Sequence, residues 1–266
     1  YTGWYTLSLH DALPICAYTL GDTRIGCWHR RGHGELDLIH AVEQSCNVFF
    51  IDTGLATGLE RIAPMLVGAG LGRAPAIELP AVGEGLVPTR AWALETWNRD
   101  WLAIDTAYLS IGQGAVALSP LQAALYAAAI ANGGTVFRPY VVARIVDAAG
   151  NDRRITPPLA VSQLPASPGN LAVIRRGMAL VVNGEHASAA EARNPAITLA
   201  GKTGTAEMGL DDTGYNNTWF IGYGPLEEPR YAIAVLVERG ASGGKTAAPL
   251  AGQFFTRWLS PPEDAQ

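Results

Sequence analysis

The sequence has little that would suit it to nucleic acid or to a bilayer core. Its 266 residues carry a formal net charge of −5, with 19 Lys and Arg against 24 Asp and Glu. The basic residues form no stripe, so no nucleic-acid partner is expected. No apolar run approaches the roughly 18 residues that a membrane span needs. Charged residues are only 16% and apolar residues 48%, which excludes a disordered chain. Lysine is almost missing: Lys202 and Lys245 are the only two. Cysteine is sparse too, at three (Cys16, Cys27 and Cys46), and an odd count leaves at least one thiol outside any intrachain disulfide. There is no internal repeat and no clear linker, and the length allows one substantial core or two small ones.

Because lysine is so rare, its position is informative. Lys202 sits in Gly201-Lys202-Thr203-Gly204-Thr205-Ala206, led in by the apolar alternation of Ile197 and Leu199 and bounded by Pro195. The pattern predicts a strand. At a sheet edge such a strand offers free N–H and C=O groups to an extended peptide. Lys202 can attract a carboxylate as a point charge, and the hydroxyls of Thr203 and Thr205 can hydrogen-bond it. Gly204 keeps no side chain between a substrate and the backbone, and the Thr205 N–H can face a developing oxyanion.

Taken in order, residues 1–15 read as foreign sequence, since Ser8 to Ile15 resembles a translated sequencing adapter; they are set apart from the fold. Residues 16–260 read as one folded unit and 261–266 as a tail. Cys16 to Trp28 has the pattern of a loop or short hairpin. A helix is expected from Asp37, its N-cap, through Leu38, Ala41 and Val42. Ser45-Cys46-Asn47 follows. Residues i and i+2 do not share a helix face, so bringing Ser45 and Asn47 to one cleft requires a break in the helix, with a second helix over about Val48 to Thr57. Leu59 to Arg99 alternates short helices and turns. Gly112-Gln113-Gly114 is a turn ahead of a helix with Ser119 at the N-cap, Pro120 at N1 and Gln122 closing a capping box. Extended structure over Val136 to Asp147, a proline-punctuated loop over Thr156 to Pro168, and a helix over Gly169 to Val182 precede the Lys202 strand. Strands at Thr218 to Tyr223 and Tyr231 to Glu238, and a helix over Pro249 to Leu259, complete the chain.

Lys-Thr-Gly, Ser45-x-Asn47, the Gly112-Gln113-Gly114 turn, the Ser119-Pro120-Leu121-Gln122 start, Asn132-Gly133-Gly134 and Trp219-Phe220-Ile221-Gly222-Tyr223 together resemble the transpeptidase domain of class B penicillin-binding proteins, and within them the penicillin-binding protein 2 group of cell elongation. The resemblance runs from about residue 16 to the C-terminus. It implies an α+β fold, an antiparallel sheet flanked by helices, of the penicillin-binding transpeptidase and β-lactamase type. It implies a serine acyl-enzyme that cross-links peptidoglycan stem peptides ending in D-Ala-D-Ala and is inhibited by β-lactams, with no cofactor for catalysis. Ser45, Asn47 and Lys202 become the catalytic set, with Ser45 and Lys202 relaying a proton. Lys202, Thr203, Gly204 and Thr205 become the substrate grip. A membrane glycosyltransferase partner is implied, as is a place on the periplasmic face of the inner membrane through an N-terminal anchor.

The nucleophile motif of that family, Ser-x-x-Lys, should lie some tens of residues before Ser45. The one match here is Ser242-Gly-Gly-Lys245, in a glycine-rich loop on the wrong side of Lys202. The sequence as given is therefore expected not to acylate, and a sheet lacking its upstream strands is expected to expose an edge. A D,D-carboxypeptidase or β-lactamase, and a non-catalytic penicillin-recognising sensor or scaffold, are the competing readings.

Cys16, Cys27, His33 and Cys46 make a closed structural zinc set in type and number. The resemblance implies a zinc beside the Ser-x-Asn loop in some members of the group. A Cys16–Cys27 disulfide with Cys46 buried is the alternative.

Overall fold

The structure, a computed structural model, describes residues 17–29, 31–80, 82–207 and 216–259. The foreign-looking stretch, Cys16 and the tail lie outside the described residues.

The architecture is α+β, as expected. A small antiparallel hairpin opens it, β1 (Ala17–Leu20) and β2 (Thr23–Gly26). Two helices follow with two residues, Ser45 and Cys46, between them: α1 (Leu38–Gln44) and α2 (Asn47–Thr57). Asp37 caps α1 as predicted, its carboxylate accepting from the His40 N–H at 2.9 Å. The hairpin lies on α2, where Ile25, Ile51 and Ala107 form a small buried cluster.

The segment read only as short helices and turns contains α3 (Leu59–Gly68) and α4 (Arg90–Trp97), and is followed by α5 (Ala103–Ser110), which the sequence pattern did not announce. The helix with the strongest start signal is α6 (Pro120–Ala131). Its capping box is complete: the Ser119 hydroxyl accepts from the Gln122 N–H at 3.3 Å, and Gln122 Oε1 accepts from the Ser119 N–H at 2.8 Å. Such a cap stabilises a helix by about 1 kcal/mol. Gln122 is also buried, and its Nε2 donates to the carbonyls of Arg73 and Glu84, so one side chain starts the helix and pins the preceding loops.

The predicted extended run after α6 divides. β3 (Thr135–Phe137) pairs with β6 (Ala160–Gln163), and β4 (Arg144–Val146) pairs with β5 (Asp152–Ile155). β6 lies inside the stretch expected to be a proline-punctuated loop; its prolines flank the four-residue strand.

The chain then enters α7 (Pro168–Asn183), capped by Ser167, and the main sheet: β7 (Ala200–Glu207), β8 (Asn216–Gly224) and β9 (Tyr231–Gly240), antiparallel in the order β7-β8-β9. A π turn, Gly243–Ala247, leads into α8 (Ala248–Leu259). The main core fills the space between this sheet and its helices, with Val181, Val182, Leu199, Phe220, Tyr223 and Phe255 fully buried. Phe220 explains the glycine ahead of Lys202. Its ring lies where a side chain at Gly201 would go, and a Cβ there would sit 2.2 Å from the ring. β7 is an edge of the sheet, with Lys202 opposite Ile221 and Thr205 opposite Thr218.

Candidate active site

Ser45 ends α1 in the left-handed conformation, φ 53° and ψ 51°, and its N–H returns to the carbonyls of Ala41 and Val42. A break in the helix stands where one was expected between Ser45 and Asn47. A non-glycine residue in this region is uncommon, and here it turns the hydroxyl out of the helix toward β7. Lys202 Nζ donates to Ser45 Oγ at 2.7 Å and to the Thr203 carbonyl at 3.0 Å. The two residues are 157 positions apart in sequence.

Burial pulls the Lys202 ammonium from its ordinary range down to about 8. The residue keeps some exposed surface, but the ammonium is enclosed, and the ammonium is the part that titrates. Its two neighbours are neutral oxygens, which offset only part of the lost hydration. Near pH 8 Lys202 thus exists in both states, as a proton-relaying group requires.

Asn47 begins α2 beside this pair, but its side chain takes another direction. Asn47 Nδ2 donates to the Gly26 carbonyl at 2.8 Å, and its N–H points at Cys27 Sγ at 3.2 Å. The structure therefore brings Ser45 and Lys202 together and ties Asn47 to the β1–β2 hairpin, leaving its second amide hydrogen and Oδ1 for further partners.

On β7, the Thr203 carbonyl accepts from Lys202 Nζ and the Thr205 carbonyl accepts from Gln113 Nε2 at 3.0 Å. Both are thus turned away from β8. A residue of an antiparallel ladder points its N–H and C=O to the same side, so the N–H groups of Thr203 and Thr205 also lie on the free edge. The Thr205 hydroxyl oxygen accepts from the Gly243 N–H at 3.1 Å. Gln113 and Gly243 are contacts that the sequence reading did not place. Gln113 was legible only as part of a glycine turn, and Gly243 carries no side chain to notice.

Beneath Ser45, Glu43 is almost fully buried. Its Oε1 accepts from the His186 N–H at 3.0 Å and its carbonyl from the Ser188 hydroxyl at 2.7 Å. The end of α1 is thereby fixed to the loop that follows α7.

Cys27, His33 and Cys46 converge, with one ligand atom from each lying within 4.8 Å of the others. The two sulfurs are 3.8 Å apart and no disulfide joins them. A hydrogen bond with Cys27, and then burial, push the Cys46 thiol up to about 12. Cys16, the fourth candidate ligand, lies outside the described residues. His29 bonds the Gly32 carbonyl through Nδ1 at 2.6 Å and His40 bonds Asp37, so neither joins the group. Ser242 and Lys245 are engaged locally: the Ser242 hydroxyl accepts from the Lys245 N–H at 3.3 Å and caps the π turn.

The sequence profile of the penicillin binding protein transpeptidase domain matches residues 9–256. The peptidoglycan D,D-transpeptidase MrdA of Acinetobacter baumannii is 30% identical over 244 residues, covering 87% of this chain and 36% of that protein. Among solved structures, Pseudomonas aeruginosa PBP2 in complex with WCK 5153 superposes with a TM-score of 0.80 at 30% identity, over 92% of this chain and 53% of that one. PBP2 of Helicobacter pylori, in its complex with MreC, gives a TM-score of 0.79 at 30% identity, over 94% of this chain and 46% of that one. The chain spans well under half the length of curated relatives such as the A. baumannii protein.

Proposed function

The chain belongs to the penicillin-binding protein transpeptidase family, and from that premise we propose that its cleft serves a peptidoglycan D,D-transpeptidase of the elongation type. The observation that carries this reading is the 2.7 Å contact between Lys202 Nζ and Ser45 Oγ on the rim of an edge strand with free N–H groups.

In this proposal a serine outside the sequence given attacks the carbonyl of the penultimate D-Ala of a stem peptide. The terminal D-Ala leaves as an amine, taking a proton passed through the Ser45 hydroxyl with Lys202 as its neighbour. An amine of a second stem peptide then attacks the ester, forms the cross-link and frees the serine. Thr203 and Thr205, with Lys202, hold the terminal carboxylate. The Thr205 N–H faces the oxyanion of the tetrahedral intermediate and contributes half of its hole. Asn47 orients the substrate amide once its side chain engages it. Ser242 takes no part, because its hydroxyl caps a turn.

The three convergent ligands beside Ser45 fit a structural zinc ion in type and spacing. Cys27, His33 and Cys46 would hold it, with Cys16 as the fourth ligand. The ion would supply a fixed cross-link between the hairpin and the start of α2, and with it the position of the Ser45 turn.

The acting surface would face the periplasm, with an anchor and a glycosyltransferase partner in the inner membrane. No helix among the described residues is long and apolar enough to cross a membrane. The complex of H. pylori PBP2 with MreC makes a MreC-like partner the natural candidate for the whole protein. Product analysis with a D-Ala-D-Ala donor and an amine acceptor tests the activity, using the gene product that includes the nucleophile. Cross-linked dimer is the expected product; hydrolysed donor alone would replace the transpeptidase with a carboxypeptidase, and no turnover at all would leave a binding module.

A further inference from the structure

Thr205 has three polar groups with four hydrogen-bonding roles: a backbone N–H, a carbonyl, and a hydroxyl that both donates and accepts. Its two acceptors are each engaged from a distant part of the chain. Gln113 Nε2 donates to its carbonyl at 3.0 Å, and the Gly243 N–H donates to its hydroxyl oxygen at 3.1 Å. The next acceptor along the edge, the Thr203 carbonyl, is engaged by Lys202 Nζ at 3.0 Å. Among the described residues, the groups that remain open are the N–H and the hydroxyl hydrogen, and both are donors.

Both contacts are built into the fold. Gln113 stands between Gly112 and Gly114, which take φ of 73° and 76°, and its N–H bonds the Tyr108 carbonyl at 2.9 Å. Gly243 lies against the sheet so closely that a Cβ would sit 2.5 Å from the carbonyl oxygens of Gly204 and Trp219. Only glycine brings its N–H to Thr205 there. The Ser242 hydroxyl fixes the first turn of that segment through the Lys245 N–H.

We infer that Gln113 and Gly243 are positioning residues that make Thr205 a donor-only partner, so that the cleft selects a ligand whose terminal oxygens only accept hydrogen bonds, a free carboxylate, over the same ligand ending in a carboxamide. A carboxamide brings N–H groups of its own and meets acceptors already in use. Each engaged oxygen keeps a second lone pair, so the effect is a bias of several-fold and not an exclusion. The inference rests on the cleft reading given above.

The test titrates the 266-residue chain with N-acetyl-D-Ala-D-Ala and with its C-terminal amide, following amide chemical shifts. The quantity read is the ratio of the amide's Kd to that of the acid. The unaltered chain is expected to prefer the acid. Gln113→Met keeps the size of the side chain and removes its donor; it should lower the ratio about three- to ten-fold, on the scale of one weak hydrogen bond. Gly243→Ala should lower it similarly, and Thr205→Ser should keep it. Should Gly243→Ala not fold, Gln113→Met carries the test alone. A ratio unchanged in Gln113→Met, with both affinities equal to those of the unaltered chain or lowered in parallel, assigns Gln113 a merely structural role and overturns the inference. If the unaltered chain binds neither ligand, or binds both equally and Lys202→Met changes nothing, the carboxylate-binding cleft itself is wrong and the inference falls with it.

Discussion

Lys202 Nζ and Ser45 Oγ meet at 2.7 Å across 157 residues of sequence, with the ammonium enclosed and pulled down to about 8. Burying a cation among neutral oxygens opposes folding, and the cost has a pH signature. The folded-state value lies below that of a lysine in the unfolded chain, so between about pH 8 and 10.5 the unfolded state binds more protons and stability rises with pH. The penalty is fully present below pH 8 and gone above about 10.5. Lys202→Met should therefore be more stable than the unaltered chain near pH 7, by about 1–3 kcal/mol, and the gain should fade by pH 10.5. Urea unfolding at both pH values measures it; an equal difference at the two would contradict the burial of the charge.

Ser45 combines a left-handed backbone with the hydroxyl that accepts from Lys202. Ser45→Ala loses the hydrogen bond and keeps the backbone strain, whereas Ser45→Gly loses the bond and relieves the strain. Ser45→Gly is expected to be the more stable of the two by about 0.5–1 kcal/mol. Both variants should lower the titration midpoint of Lys202, followed by NMR of its side chain, because the charged form loses an acceptor. Equal stability of the two variants would place Ser45 outside the left-handed region.

The buried Glu43 holds the chain ahead of Ser45 by accepting from the part-buried His186 N–H. Glu43→Ala leaves that donor unpaired and should cost about 1–3 kcal/mol, read as a lower urea midpoint at unchanged slope. Glu43→Gln keeps an acceptor oxygen and should cost less. A Glu43→Ala midpoint equal to that of the unaltered chain would mean that water serves the His186 N–H equally well.

Much of this was legible in the sequence because it is local. Asp37 caps α1, Ser119 and Gln122 start α6, and apolar alternation marks β7, β8 and β9; each signal lies within a few residues of its effect. The break at Ser45 was expected on the condition that Ser45 and Asn47 reach one cleft, since positions two apart cannot share a helix face; the break is there, although Asn47 turns to Gly26. α5 was missed because Leu102, which precedes it, is no recognisable cap; the start is made by Asp105, whose Oδ2 accepts from the Leu102 N–H at 2.8 Å. The partners of Thr205 could not be read at all. Gln113 and Gly243 reach it from 92 and 38 residues away, and no local pattern encodes such a meeting. The direction of Asn47 toward Gly26 likewise depends on where the first hairpin docks.

Cys27, His33 and Cys46 should give about one zinc per purified chain by elemental analysis, and Cys46→Ser should lose it and lower the thermal midpoint. A chain without zinc and with one disulfide between Cys16 and Cys27 would establish the alternative pairing instead.

The measurement that bears most directly on the central claim is covalent labelling by benzylpenicillin of the gene product extended through the codons preceding Cys16, with the labelled residue located by peptide mass mapping. A single adduct is expected on the serine of a Ser-x-x-Lys motif N-terminal to Ser45, and its formation should slow markedly in Lys202→Met. No adduct, or an adduct on Ser242, would contradict the assignment of this cleft to a serine D,D-transpeptidase.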